Sequence, residues 1–145
     1  MNKKLRIKQQ DQRDCGAACL ASVAAYYGLH LPIAKIRQRC HTDARGTNIL
    51  GLIQGLDAMG FHAKGVKGNV ESLSQIPLPA VAHVVLPEHR RHYLVIYKVE
   101  KDFIIAMDPA TASFIRYRTV DFQEIWTGAM VLMEPHVYFE KRNEK

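Results

Sequence analysis

Gln9-Gln10-Asp11-Gln12-Arg13-Asp14-Cys15-Gly16-Ala17-Ala18-Cys19-Leu20 is the stretch around which the chain is organised. A polar run ends in Asp14, an acceptable helix N-cap, and a helix of small residues begins at Cys15. The thiol therefore sits on the first turn of a helix, where backbone N–H groups and the helix dipole favour an anion. The thiolate is the nucleophilic form of cysteine. Most cysteines are small buried hydrophobes, but placement at a helix start favours the reactive role. A nucleophile needs a base, which the rest of the chain must supply.

At 145 residues the chain is one domain, long enough to bury a core without disulfides or metals. Its net charge of +6 is spread over separate pairs and clusters, from Lys3, Lys4, Arg6 and Lys8 to Arg116 and Arg118. A scattered basic excess reads as a solvated surface, or one beside an anionic membrane or acidic peptide, and no nucleic-acid motif accompanies it. Three cysteines, Cys15, Cys19 and Cys40, are an odd number in a chain that needs no stapling, which points to a reducing, cytosolic compartment. No signal peptide is expected, because the basic N-terminus lacks an apolar core. The longest apolar run, Leu78 to Leu86, contains Pro79 and His83 and is too short to span a membrane.

Cys15 to Tyr27 reads as a buried helix of small residues, stopped by Gly28. Pro32 opens a second helix that ends near Cys40. Asp43-Ala44-Arg45-Gly46 is a turn, Thr47 or Asn48 caps a third helix, and Gly60 ends it after the stripe Ile49, Leu52, Ile53, Leu56, Met59. The period then changes. Strands are expected at Phe61 to Val66, Ala80 to Leu86, His92 to Glu100, Phe103 to Met107, Ser113 to Tyr117 and Ala129 to Glu134. Short helical pieces are expected at Val70 to Leu73 and Val120 to Trp126, and a weak edge strand at Leu5 to Ile7. Helices followed by a largely antiparallel sheet define an α+β architecture over residues 1–136, with 137–145 a charged tail or linker.

Seven histidines compete for the role of base. His30, His41, His62 and His136 lie beside turns or in the tail, His83 sits mid-strand among apolar neighbours and reads as structural, and His89 sits in the basic loop Glu88-His89-Arg90-Arg91. His92 opens an apolar strand, which anchors its backbone and leaves the ring reachable. Asp108 ends the next strand before Pro109, so it can lie at the same sheet edge and orient the imidazole. The Cys15 N–H is one oxyanion donor. Gln9, Gln10 and Gln12 all qualify by chemistry for a second.

Gln9-x5-Cys15 with flanking Asp14 and Gly16, His92 at a strand start, and Asp108-Pro109-Ala110 together resemble the bacteriocin-processing cysteine peptidase domain of peptidase-containing ABC transporters. Gly46-Thr47, Gly60-Phe61, Lys64-Gly65-Val66-Lys67, Pro77-x-Pro79 and Trp126-Thr127-Gly128 extend the resemblance from about Lys8 to Pro135. It implies a papain-like fold in which Cys15 is the nucleophile, His92 the base, Asp108 the orienter and Gln9 the oxyanion donor. It also implies a cysteine endopeptidase that removes amphipathic helical leaders after Gly-Gly or Gly-Ala, coupled to export through transmembrane and ATPase domains. No cofactor or metal is implied. Since those further domains are absent from these residues, the chain is either an excised domain or a stand-alone peptidase, with an excised domain at the cytosolic face of a membrane the expectation.

Three other uses of the same residues fit less well. A non-cleaving leader-binding module would lack the nucleophile. A metal site from Cys15, Cys19, Cys40 and His41 has no second close pair. A transglutaminase- or deubiquitinase-like use of the triad is disfavoured by the Gln9–Gly16 stretch.

Overall fold

The computed structural model describes residues 2–43 and 46–136, so the expected tail at 137–145 and part of the turn at 43–46 lie outside the described residues. Three helices come first: α1 (Cys15–Tyr26), α2 (Ile33–Arg39) and α3 (Ile49–Ala58). Strands β1 (Phe61–Lys67), β2 (Ala80–Leu86), β3 (Arg90–Val99), β4 (Phe103–Asp108) and β5 (Ser113–Arg118) follow. Helix α4 (Thr119–Ile125) then leads into β6 (Trp126–Pro135). The six strands form one antiparallel sheet in the order β1-β6-β2-β3-β4-β5, as the α+β reading requires.

Helix α1 owes its central position to small side chains. Every residue from Cys15 to Ala24 is buried, so neighbours approach it from nearly all sides. A Cβ at Gly16 would lie 3.1 Å from Leu52 and 3.2 Å from Thr47. The helix ends as expected at Gly28 (φ +85°). That left-handed residue lets its own N–H reach the Ala25 carbonyl and the Leu29 N–H reach the Ala24 carbonyl at 2.8 Å. Of the two candidate caps for α3, Asn48 is the one used; its side chain accepts from the Gly51 N–H at 2.8 Å.

Both faces of the sheet are covered. Val81, Tyr93, Val95, Met107, Val131 and Met133 face the α1–α3 side, while Ala82, Leu94, Ile96, Ile104 and Met130 pack with Phe122 of α4 and Leu73. This double burial is why β2 and the middle of β3 read as nearly unbroken apolar runs rather than alternating ones.

The expected strand at Leu5 to Ile7 is absent. Lys3–Leu5 is instead a 3-10 turn capped by Asn2, and the Leu5 carbonyl accepts from the Ser22 hydroxyl of α1. A three-residue alternation is too short to outweigh burying Leu5 against the helix, and the side-chain donor replaces a ladder partner. Strand β3 also begins two residues earlier than expected, at Arg90, because the turn between β2 and β3 is only Pro87–His89.

Candidate active site

Cys15 opens α1, His92 is the third residue of β3 and Asp108 is the last residue of β4. Strands β3 and β4 are antiparallel neighbours, so the start of one and the end of the other share an end of the sheet. His92 Nε2 lies 2.8 Å from Asp108 Oδ1. The same carboxylate oxygen accepts from the Ala110 N–H at 2.9 Å, which fixes its rotamer. With Nε2 occupied, Nδ1 is the ring nitrogen left for a thiol, and Cys15 is near enough to help raise the His92 pKa. The three side chains are nearly closed off, their residues 7%, 6% and 9% exposed.

Electrostatics bind the group together. Burial alone would lower the His92 pKa, but hydrogen bonds to Asp108 and Cys15, with their charges, outweigh it and push it up to about 9. Burial would raise Asp108, yet the hydrogen bonds from His92 and Ala110 hold it below the usual carboxylate range. The imidazolium is therefore the resident form at neutral pH, facing a thiol at a helix N-terminus.

The three cysteines have separate fates. Cys19 is wholly buried one turn along α1, and that burial pushes its thiol well up. Cys40 is 1% exposed, pushed up to about 12 by burial, and packed so closely that a Cβ at Gly55 would fall 2.6 Å from its sulfur.

Gln9 is tied to the Asp108 side of the site through its backbone N–H, which donates to the Pro109 carbonyl at 2.8 Å. Its side-chain Oε1 is buried without a hydrogen-bond partner, an exception of the kind that marks functional sites. Gln10 is exposed and accepts from Arg37 Nη2 at 3.0 Å. Asp14 occupies the N-cap position but makes no capping bond. Its carboxylate is fully buried and takes a two-pronged contact from Arg37 of α2, at 2.8 Å from Nε and 2.7 Å from Nη2. A charge-assisted pair of this geometry outweighs a cap bond. No local sequence signal links positions 14 and 37.

A cleft of about 430 Å³ opens beside the thiol, lined by Cys15, Asp43, Thr47, His83, Arg91 and Tyr93 among others. The Tyr93 hydroxyl donates to the Thr47 carbonyl at 2.9 Å and so joins the loop before α3 to the sheet. His83, read from the sequence as purely structural, is half-buried on this wall with Nδ1 3.1 Å from Thr127 Oγ1. Burial and the nearby Arg91 hold its pKa below the ordinary histidine value. The walls come from four separated segments, and no pattern within any one of them announces a cleft. His89, the rejected base, is exposed in the turn before β3 at φ +57°.

A thiol on a buried helix, facing an imidazole and a carboxylate on an antiparallel sheet, defines the class: a papain-like cysteine peptidase. The chain belongs to the Peptidase C39 family, whose model matches residues 3–137. It is 35% identical over 141 residues to the lactococcin-G-processing and transport ATP-binding protein LagD of Lactococcus lactis subsp. lactis, across 96% of this chain and 20% of LagD. It is 33% identical over 144 residues to the pediocin PA-1 transport/processing ATP-binding protein PedD of Pediococcus acidilactici, again 97% of this chain and 20% of PedD. The chain thus spans 20% of the length of these curated relatives. The crystal structure of the peptidase domain of Streptococcus ComA, a bi-functional ABC transporter involved in quorum sensing, superposes with a TM-score of 0.83 at 32% identity, covering 90% of this chain and 97% of that one. A double glycine motif protease from an AMS/PCAT transporter, in complex with its leader peptide, gives 0.81 at 27% identity over 89% of each chain.

Proposed function

We propose that this chain is the leader peptidase of a peptide-exporting ABC transporter, cutting precursors after a Gly-Gly or Gly-Ala pair. The observation that carries the reading is the His92–Asp108 pair, with Nε2 and Oδ1 2.8 Å apart, near the Cys15 thiol that opens α1. In the proposed reaction the Cys15 thiolate attacks the carbonyl after the second small residue. The oxyanion is held by the Cys15 N–H and the Gln9 side-chain amide. His92, held as imidazolium by Asp108, gives its proton to the leaving amine, and water then resolves the thioester.

The requirement for small residues follows from access. Cys15 is only 7% exposed, and the cleft beside it is bridged by the bond from Tyr93 to Thr47. A substrate backbone with little side chain can reach such a thiol; a bulky one cannot. The transporter association and the amphipathic helical leader rest on the likeness to LagD, PedD and the leader-bound protease. Such an assembly would put this domain on the cytosolic side of a membrane; among the described residues no helix is long and apolar enough to cross one.

The direct test is incubation with a double-glycine precursor and mass analysis of the products. Cleavage after the second small residue is expected, with Cys15→Ala and His92→Ala inactive and His89→Ala active. Cleavage by Cys15→Ala, or equal losses at His89 and His92, would refute the assignment.

A further inference from the structure

We infer that Arg37 is a positioning residue of the oxyanion site, clamping the loop that carries both proposed donors; this rests on the peptidase reading above. The proposed donors, the Gln9 amide and the Cys15 N–H, are six residues apart in sequence. The residues just inside them, Gln10 and Asp14, are gripped by one guanidinium. Arg37 Nε meets Asp14 Oδ1 at 2.8 Å, and Nη2 meets Asp14 Oδ2 at 2.7 Å and Gln10 Oε1 at 3.0 Å. The loop is anchored once more, by the Gln9 N–H on the Pro109 carbonyl. Arg37 therefore supplies the hold on the α2 side, opposite the hold from the end of β4.

The cost of the arrangement points the same way. Asp14 is fully buried, and its carboxylate gives up the capping bond that its position offers. A carboxylate buried beside a nucleophilic thiol would oppose formation of the thiolate unless neutralised. The guanidinium neutralises it and fixes its direction with a planar fork that lysine cannot reproduce. Gln10 adds a contact that helix packing does not require, since it is an exposed side chain of the loop. What these contacts share is the segment between the two donors.

The test compares Arg37→Lys with the double variant Asp14→Asn/Arg37→Gln, which removes both charges and leaves no buried ion alone. Three quantities are measured: kcat and KM on a double-glycine precursor, the rate of Cys15 alkylation by iodoacetamide, and the unfolding midpoint. Peptide cleavage develops an oxyanion, whereas alkylation by iodoacetamide does not. A positioning role predicts a fall in kcat of roughly tenfold to a hundredfold with KM changed less than about threefold, and alkylation of the folded variants within about threefold of wild type. An alkylation rate that falls in step with kcat would reduce Arg37 to a structural support and overturn the inference. Unchanged kcat in both variants beside an active wild type would also overturn it, leaving the peptidase reading intact. A wild-type chain that leaves the precursor whole overturns the peptidase reading, and the clamp with it.

Discussion

His92 Nε2 and Asp108 Oδ1 stand 2.8 Å apart, although sixteen residues and a hairpin separate them along the chain. The pair exists because β3 and β4 run antiparallel and the loop Glu100-Lys101-Asp102 is tight, closed by the Glu100 N–H on the Phe103 carbonyl at 2.8 Å. The carboxylate proposed to orient the ring therefore owes its place to strand pairing, and its removal should be readable in kinetics.

Asp108→Ala is expected to lower kcat/KM by roughly a hundredfold or more, through loss of the ring's orientation and charge partner. Asp108→Asn should lose less, because an amide oxygen can still accept from Nε2. Steady-state kinetics on one precursor peptide would check the order; equal losses would remove orientation as the role of Asp108.

The pH dependence has a definite sign. His92 is raised from its ordinary 6.5 to about 9, so the imidazolium and the activity it supports should persist to about pH 9 and fall beyond it. Asp108→Asn should move that alkaline limb down, toward the ordinary histidine value. The same shift stabilises the fold: the contribution is complete below 6.5 and disappears as pH rises through about 9. The difference in unfolding midpoint between wild type and His92→Gln should shrink correspondingly across that window.

Only Cys15 should react with thiol reagents in the folded protein. Cys19 and Cys40 are 0% and 1% exposed, with thiols pushed up by burial, so neither offers access nor thiolate. Mass spectrometry after brief iodoacetamide treatment should find one adduct, on Cys15, and adducts on all three after denaturation. Comparable native labelling of Cys40 would contradict the packing described for it.

Tyr93→Phe deletes the buried donor that the Thr47 carbonyl receives at 2.9 Å. Leaving a buried carbonyl without that partner should cost about 1–3 kcal/mol, measurable as a lower urea midpoint. The cleft loop it tethers should also become easier to cut with an added protease, and unaltered susceptibility would mean that other contacts hold Thr47.

Local chemistry made much of this legible in the sequence. Small residues from Cys15 to Ala24 announced a buried helix, Gly28 and Gly60 announced the stops, and unbroken apolar runs announced the central strands. These signals work because capping, turn conformation and burial period are properties of short segments. Cys15, His92 and Asp108 were likewise readable as residues at element ends. The pairing of His92 with Asp108 was readable too, from consecutive strands joined by a tight hairpin. The seating of α1 against that end of the sheet was not, since it depends on how the helices and the sheet assemble.

The sequence by itself determined the helix-borne thiol, the α+β division and a short set of candidate partners. The tertiary structure alone decided that Asp14 pairs with Arg37 instead of capping α1, that the chain's first residues form a turn and not a strand, and that His83 borders the cleft. The reason is physical. A buried charge is directed by whichever opposite charge the packing brings within reach, and that partner is set by how helices and strands assemble rather than by the residues beside it.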